Sequence, residues 1–177
     1  MPDGVLLDTS FLITFADPTR KHHAVARQYF DFFVEAGVPM FLSTIVASEF
    51  GLVQPVTDLP LDALIVLPFN LADASCAAEL DFRKYKGTPE TTRAAIKDDF
   101  KLLGQAKARQ LAFLLTEDAR TLSRYCEELH AAGKLPTRAI KLSDGFDKSY
   151  FNPTRQRDFD DAIAPLSPDK PPPPPQP

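Results

Sequence analysis

Five short apolar runs alternate with segments of helical pattern along most of this chain. The runs cover residues 4–7, 40–42, 64–67, 111–115 and 139–142. Each is too short for a helix, and a strand that is apolar throughout is typical of a parallel sheet buried on both faces. The regular alternation of such strands with helices therefore predicts an α/β fold, a central parallel sheet covered by helices on both faces.

The helices between these runs are marked by start and stop residues. The sequence predicts a helical turn at 11–15 and helices at 20–36, from 44 onward, and at 71–86, 88–109 and 117–132. Thr19 is the predicted cap of the helix at 20–36, and Thr88-Pro89-Glu90 has the hydroxyl and proline of a helix start. The predicted stops are Gly37, Gly87 and Gly133. Within the helix at 88–109, Lys97-Asp98-Asp99 is a candidate break.

Composition divides the chain into a folded body and a tail. The sequence predicts a domain over 1–157 and a disordered, acidic, proline-rich tail over 158–177, which has too few apolar side chains to offset the entropy of ordering. The net charge of −4 excludes a generally basic nucleic-acid binder. Four of the acids lie in the tail, so the body is nearly neutral and compatible with a phosphate substrate held by local basic groups.

Cysteine usage and hydropathy limit the class of protein further. Cys76 and Cys126 are far apart and belong to no CxxC pair, so we expect two reduced thiols rather than a disulfide or a zinc site. The start of the chain has no signal-peptide pattern, and no apolar run is long enough to span a bilayer. These features predict a cytoplasmic protein with no membrane segment.

Acidic residues recur at the ends of the predicted strands. Asp8 closes the first run, and Asp118 follows the fourth after Thr116-Glu117. Ligands of parallel α/β sheets collect outside the carboxyl ends of the strands, so these two residues form a candidate site. Glu49 lies on the helix after the second run, in an apolar neighbourhood. Taken singly, each acid also fits a structural role, because Asp often caps a helix and Glu often lies on a solvated helix face.

Taken in order, these segments resemble the signature of PIN-domain nucleases. The matching pieces are Leu6-Leu7-Asp8-Thr9-Ser10, Ser48-Glu49-Phe50, Asp99 with Leu102, Leu103 and Ala106, and Thr116-Glu117-Asp118. The resemblance covers roughly residues 4–145 and implies a three-layer α/β/α fold, Mg²⁺ or Mn²⁺ as cofactor, and metal-dependent cleavage of RNA. Many stand-alone PIN domains of similar size are the toxins of bacterial VapC-type toxin–antitoxin pairs. That resemblance suggests an antitoxin protein as partner, and a homodimer is a further prediction.

The resemblance also assigns the site residues. Asp8, Glu49, Asp99 and Asp118 would be the catalytic, metal-binding acids, with Asp8 as the central ligand. Only one member of the Asp98-Asp99 pair can face the sheet, since neighbouring helical residues point about 100° apart. Asp98 is the alternative third acid if the register differs by one. The hydroxyl of Thr116 matches the family pattern, and Ser10 would orient Asp8 or water, or else cap the short helix.

The chemistry of carboxylates agrees with this assignment. Mg²⁺ prefers oxygen ligands and keeps several waters, so it needs only one or two direct carboxylates. The expected reaction is in-line hydrolysis of a phosphodiester, and the resemblance implies a 5′-phosphate and a 3′-hydroxyl as products. Candidate RNA-phosphate ligands are Arg93, Lys97 and Lys101, which also fit a solvated helix face. Weak candidates for base stacking are Tyr85, Tyr150 and Phe151.

Other readings of the same residues are less consistent with the sequence. Haloacid-dehalogenase-like phosphatases need an acid two residues after the first Asp, where this chain has Ser10. Response-regulator receivers have no role for a residue such as Glu49. The remaining alternative is a catalytically inactive PIN-like module that binds RNA or a protein. Loss of an acid would favour that alternative, and all four are present.

Overall fold

A five-stranded parallel sheet forms the centre of the computed structural model, which describes residues 4–85 and 93–151. The strands are β1 (Val5–Leu7), β2 (Met40–Ser43), β3 (Leu64–Leu67), β4 (Phe113–Thr116) and β5 (Arg138–Lys141). Their order across the sheet is β3-β2-β1-β4-β5, and every neighbouring pair is parallel. All five apolar runs are strands, and the predicted α/β class is confirmed.

Burial explains why the central strands are apolar throughout. β1 is flanked by β2 and β4, and every residue of β1 and β4 is buried. At the edge of the sheet, β3 leaves Ile65 and Val66 exposed. Because β1 lies in the middle, the residue that follows it, Asp8, lies at the centre of the sheet's carboxyl edge. The strand that ends at Leu115–Thr116 lies directly beside it.

Helices connect the strands. Within the described residues they are α1 (Thr9–Ala16), α2 (His23–Ala36), α3 (Thr44–Phe50), α4 (Leu71–Glu79), α5 (Arg93–Ala108) and α6 (Leu122–Ala131). The predicted stops Gly37 and Gly133 both adopt the left-handed conformation, with φ of 66° and 67°. A left-handed residue after a helix lets the chain turn away while the last carbonyl groups remain hydrogen-bonded. No helix of the described ranges is long and apolar enough to cross a membrane.

The prediction that Thr19 caps α2 is wrong. Its hydroxyl donates to Asp17 Oδ1 at 2.6 Å, and its backbone N–H donates to the same oxygen at 2.9 Å. This local turn occupies the hydroxyl, since Asp side chains readily bond to backbone groups two residues ahead. α2 consequently begins at His23, three residues later than predicted, without a side-chain cap.

The helix predicted at 71–86 is also too long. α4 ends at Glu79, because Asp81 adopts a left-handed conformation with φ of 51° and pairs with Arg83 and Lys84. Asp tolerates that conformation better than most residues, so it can stop a helix without glycine. The predicted stop at Gly87 and the start at Thr88-Pro89-Glu90 lie outside the described residues, as does the domain boundary at 157. The prediction of a helix break at 97–99 is wrong, since α5 is continuous there.

α4 and α5 pack closely through a glycine. An ideal Cβ at Gly104 would lie 2.5 Å from the Cβ of Ala77 and 2.6 Å from its Cα and backbone N. Two of those atoms belong to the α4 backbone and cannot move aside without shifting the helix. The contact therefore fixes the position of α5, which also carries Asp98 and Asp99.

We expect Gly104→Ala to destabilise the protein by roughly 1–3 kcal/mol, because the added methyl group overpacks this contact. Helix propensity alone predicts the opposite sign, since alanine is better than glycine in a helix by about 1 kcal/mol. Urea denaturation of the two proteins measures the difference. A raised unfolding midpoint in the variant would show that the α4–α5 contact is looser than described.

Candidate functional site

Asp8 is the centre of a hydrogen-bond network at the carboxyl edge of the sheet. It caps α1 and is only 8% exposed. Its Oδ2 accepts a hydrogen bond from the hydroxyl of Ser10 at 2.6 Å and from the hydroxyl of Thr116 at 2.8 Å. Burial raises the pKa of Asp8, and these hydrogen bonds oppose that rise by stabilising the anion. Both Ser10 and Thr116 therefore contact Asp8, and the alternative that Ser10 caps the short helix is wrong, since Asp8 is the cap.

The same hydroxyls hold the loop that follows β4. Ser10 Oγ accepts from the backbone N–H of Glu117 at 2.9 Å and of Asp118 at 3.2 Å. Thr116 Oγ1 accepts from the N–H of Asp118 at 2.9 Å. Each hydroxyl thus donates to Asp8 and accepts from the β4 loop, so the carboxylate of Asp8 and the backbone of Asp118 are fixed relative to one another.

We expect Thr116→Val to weaken both stability and the site. The substitution removes one hydrogen bond to the Asp8 carboxylate and one from the N–H of Asp118, so that Ser10 remains as the partner of both, and the loss corresponds to about 1–3 kcal/mol. If the acids bind metal, losing such an outer contact should also lower metal affinity by about 10- to 100-fold. Thr137→Val is the matched control, because Thr137 is equally buried and donates to Leu111 O at 2.7 Å, away from the acids. Equal metal affinity in the two variants would contradict the role given to Thr116.

Glu49 is joined to the start of α1, next to Asp8, by a hydrogen bond. It lies on α3, directly after β2, and its Oε2 accepts a hydrogen bond from the hydroxyl of Thr9. Burial raises the pKa of Glu49, the Thr9 bond lowers it, and the nearby charges of Asp8 and Asp98 raise it. The charge of Asp8 thus acts on Glu49, and Thr9, the residue after Asp8, bonds to the Glu49 carboxylate.

The pKa of Asp99 is affected by the charges of all the other acids. This pKa is raised to about 8, first by burial and then by the negative charges of Asp8, Asp118, Glu49 and Asp98, in this order. Asp98, by contrast, forms an ion pair with Lys101, with 2.7 Å between Oδ1 and Nζ. The charges of Asp8, Asp118 and Glu49 thus act on Asp99, while Asp98 is held by Lys101.

Asp118 combines a place beside the other acids with a capping role. Its carboxylate accepts from the backbone N–H groups of residues 120, 121 and 122 at 2.8, 3.1 and 3.2 Å, and from the hydroxyl of Thr121. Burial alone would raise the pKa of Asp118, but these bonds outweigh it and the pKa is lowered. They also explain why α6 begins at Leu122, five residues later than predicted, since residues 118–121 form the capping turn.

The four acids suit a hard cation held largely through water. Carboxylate oxygens are the ligands that Mg²⁺ and Mn²⁺ accept. In the part of the chain that the structure describes, no three His, Cys, Asp or Glu side chains come close enough to hold a metal ion by themselves. Their charges nevertheless interact, because Coulomb forces reach farther than coordination bonds. Direct binding by one or two carboxylates, with the others at water-bridged distance, is consistent with both observations.

The candidate RNA-binding cations lie along α5. Arg93, Lys97 and Lys101 are exposed and follow one another at intervals of four residues. Lys101 is held beside the acids by Asp98, and its charge lowers the pKa of Glu49. The ammonium of Lys97 lies 5.9 Å from the ring centre of Phe82.

Sequence reasoning missed three contributors to the site. Thr9 bonds to Glu49, and Thr121 bonds to Asp118. Glu117 links the β4 loop to α1, since its Oε2 accepts from the hydroxyl of Thr14 at 2.5 Å and lies 3.5 Å from Nη1 of Arg20. Hydroxyl residues close to the acids were the available signal. Their partners depend on how the helices are placed on the sheet, which the local sequence does not specify.

Comparisons with known proteins found similarity to solved structures only. No family model matches the sequence, and no curated protein matches it. A chain of VapBC2 from Rickettsia felis, bound to a DNA fragment from its promoter, is 14% identical and has a TM-score of 0.52. That match covers 76% of this chain and 97% of the other. VapC20 from Mycobacterium tuberculosis, a sarcin-ricin loop cleaving toxin, is 14% identical with a TM-score of 0.50, and covers 76% and 99%.

A third solved structure is similar over nearly the same share of the chain. FitAcB from Neisseria gonorrhoeae is 18% identical with a TM-score of 0.50, over 78% of this chain and 97% of that chain. Likeness at this identity concerns the fold and not the activity. It confirms the three-layer, PIN-like α/β/α fold that the sequence predicted.

Proposed function

We propose that this protein is a metal-dependent endoribonuclease whose acids Asp8, Glu49, Asp99 and Asp118 hold Mg²⁺ or Mn²⁺. The observation that carries the proposal is the electrostatic coupling of Asp99 to the other three acids. They come from four separate parts of the chain: the ends of β1 and β4, and the helices α3 and α5. Strongly perturbed acids gathered from distant segments are typical of functional sites, since such repulsion disfavours the folded state unless a ligand relieves it.

The residues have distinct tasks in this proposal. Asp8 is the central ligand, and the hydroxyls of Ser10 and Thr116 hold its carboxylate in one orientation. Asp118 remains ionised because the capping bonds favour its anion. Lys101 lies beside the acids, where its ammonium can bind a phosphate oxygen of the substrate. The bound cation would supply the charge that activates water and stabilises the attacked phosphate.

Structural neighbours support RNA as the substrate and an antitoxin as the partner. One of them is a sarcin-ricin loop cleaving toxin. Another comes from a VapBC assembly, and we infer that this chain is likewise the toxin of a toxin–antitoxin pair. A protein partner that covers the acids would suppress the nuclease until it is removed.

RNA cleavage in vitro tests the proposal. The full-length protein should cut single-stranded RNA in Mn²⁺, leave 5′-phosphate and 3′-hydroxyl ends, and be inactive in EDTA. Asp8→Asn should lower the rate by at least about 1000-fold if it removes the central ligand, which corresponds to roughly 4 kcal/mol of lost transition-state stabilisation. Asp31→Asn is the control, since Asp31 is exposed on α2 and pairs with Arg27.

Two results would contradict the proposal. If Asp8→Asn and Asp31→Asn cut RNA equally well, the activity would not arise at this site. If the wild-type protein bound RNA but cut none in either metal, the inactive binding module would be the correct reading.

A further inference from the structure

A cluster of aromatic rings joins α5 and α6 to the segment after α4. Tyr85 packs against Phe100 with 4.9 Å between ring centres and edge-on against Tyr125 at 5.2 Å, and Phe82 lies 6.4 Å from Phe100. Phe100 and Tyr125 are fully buried. Tyr85 and Phe82 remain partly exposed. The partly exposed rings of Tyr85 and Phe82 thus pack on the buried rings of Phe100 and Tyr125.

This cluster lies next to the acids. Phe100 follows Asp99 directly on α5. On α6, the backbone N–H of Tyr125 donates to the carbonyl of Thr121 at 2.9 Å, and the hydroxyl of Thr121 bonds to Asp118. One helical turn, about 5.4 Å, therefore separates Tyr125 from the capping turn of Asp118.

Cationic side chains lie close to the aromatic cluster. Lys97 lies over the partly exposed ring of Phe82, whereas Arg124 lies over the buried ring of Tyr125 at 5.0 Å and pairs with Glu128. Arg83 and Lys84 both pair with Asp81, so this short segment carries more positive than negative charge. Positive charge here is notable in a chain of net charge −4, because it attracts a polyanion to one side of the acids.

We propose that Tyr85 and Phe82, with the cations around them, form a subsite that stacks an unpaired nucleobase of a single-stranded RNA whose backbone reaches the four acids. This subsite rests on the proposed nuclease function and specifies its substrate as unpaired RNA. Stacking on aromatic side chains needs a base that is out of a duplex, and flanking cations bind the phosphates on either side. The other aromatic candidates do not share this position: Tyr150 packs at 6.1 Å on Phe113, the first residue of β4, at the opposite edge of the sheet.

A single tryptophan provides the direct test. The chain contains no tryptophan, so Tyr85→Trp introduces a unique fluorophore into the subsite. In an Asp8→Asn background that prevents cleavage, titration with a short single-stranded RNA should quench this tryptophan saturably, and less at high salt. Tyr150→Trp is the matched control, because Tyr150 is also partly exposed and lies near an arginine, Arg138. Equal quenching at both positions, or no quenching at position 85, would overturn the proposal.

Affinity and kinetics separate stacking from packing. Tyr85→Leu keeps an apolar side chain against Phe100 but has no ring, so we expect about 5- to 100-fold weaker RNA binding, in line with alanine substitutions of stacking residues. Tyr85→Phe keeps the ring and should bind as the wild type does. In cleavage assays, Tyr85→Leu should raise KM far more than it lowers kcat. A fall in kcat alone, at unchanged RNA affinity, would instead indicate a packing role.

The two proposals fail in different ways. If the wild-type protein cuts RNA and Tyr85→Leu matches it in affinity and KM, the subsite is wrong and the nuclease proposal stands. If RNA quenches the tryptophan at position 85 but is never cut, the nuclease proposal is wrong and the binding subsite stands. Quenching by a protein partner but not by RNA would show that the rings are a protein contact, and would overturn the assignment.

Discussion

Asp8→Asn is expected to abolish the stabilisation that Mn²⁺ gives to the folded protein. The wild-type unfolded chain has no place where the acids meet, so metal binds the folded state and stabilises it by mass action. At a metal concentration about 100-fold above Kd the gain is roughly 2.7 kcal/mol. The variant removes one charge and one ligand at the centre of the cluster. Thermal melts with and without Mn²⁺ measure the loss.

The metal-free variant supplies the control for this result. Asparagine is a competent helix cap and can still accept hydrogen bonds from Ser10 and Thr116. Removing a buried charge also relieves repulsion with Asp99 and Glu49. Without metal, Asp8→Asn should therefore be as stable as the wild type or slightly more stable. If Mn²⁺ raised the melting temperature of both proteins equally, Asp8 would be only a cap and not a ligand.

The strands were predictable because their burial has a direct effect on sequence. β1 and β4 are buried on both faces, so polar residues are excluded from Val5–Leu7 and Phe113–Thr116 except at the end, where Thr116 bonds to Asp8. The same rule placed Asp8 and Asp118 after neighbouring strands. Parallel pairing then brought both acids to one edge of the sheet.

Helix boundaries were less predictable because competing local bonds decide them. Thr19 had the right residue type for a cap, but its hydroxyl bonds to Asp17 instead. Asp81 stops α4 by adopting a conformation that glycine usually provides. In both cases two nearby interactions differ by a small free energy. Side-chain identity alone does not determine which one forms.

The site residues on helices required more than the local pattern. Glu49 and Asp99 were assigned through resemblance, since a carboxylate on a helix is equally compatible with solvent. Their place beside Asp8 depends on how α3 and α5 lie on the sheet. The bond from Thr9 to Glu49 and the close contact of Gly104 with Ala77 contribute to that arrangement. Such contacts join residues far apart in sequence, so periodicity within one segment does not reveal them.

Asp99 should make the metal-free protein less stable as the pH rises. The pKa of its carboxyl is raised from 3.8 to about 8 in the folded protein. Below about pH 4 the Asp99 carboxyl is protonated in both the folded and the unfolded state, and the folded protein carries no cost from a buried charge at this position. Between pH 4 and pH 8 only the folded state keeps the proton, so stability falls as the pH rises, and the loss is complete above pH 8.

Asp99→Asn should therefore stabilise the metal-free protein at pH 8 while changing it little at pH 4. The expected gain is on the order of 1–3 kcal/mol, less than the full shift would give, because the carboxyl is partly exposed and solvent screens it. Asp8 and Glu49 also have raised pKa values, so part of the slope remains in the variant. Urea denaturation in EDTA across this range measures the slope, with Asp98→Asn as the neighbouring control. If Asp98→Asn flattened the profile and Asp99→Asn did not, the acid coupled to Asp8, Glu49 and Asp118 would be Asp98. With saturating Mn²⁺ the sign should reverse for the wild type, since metal binds the ionised carboxylates and gains affinity as the pH rises.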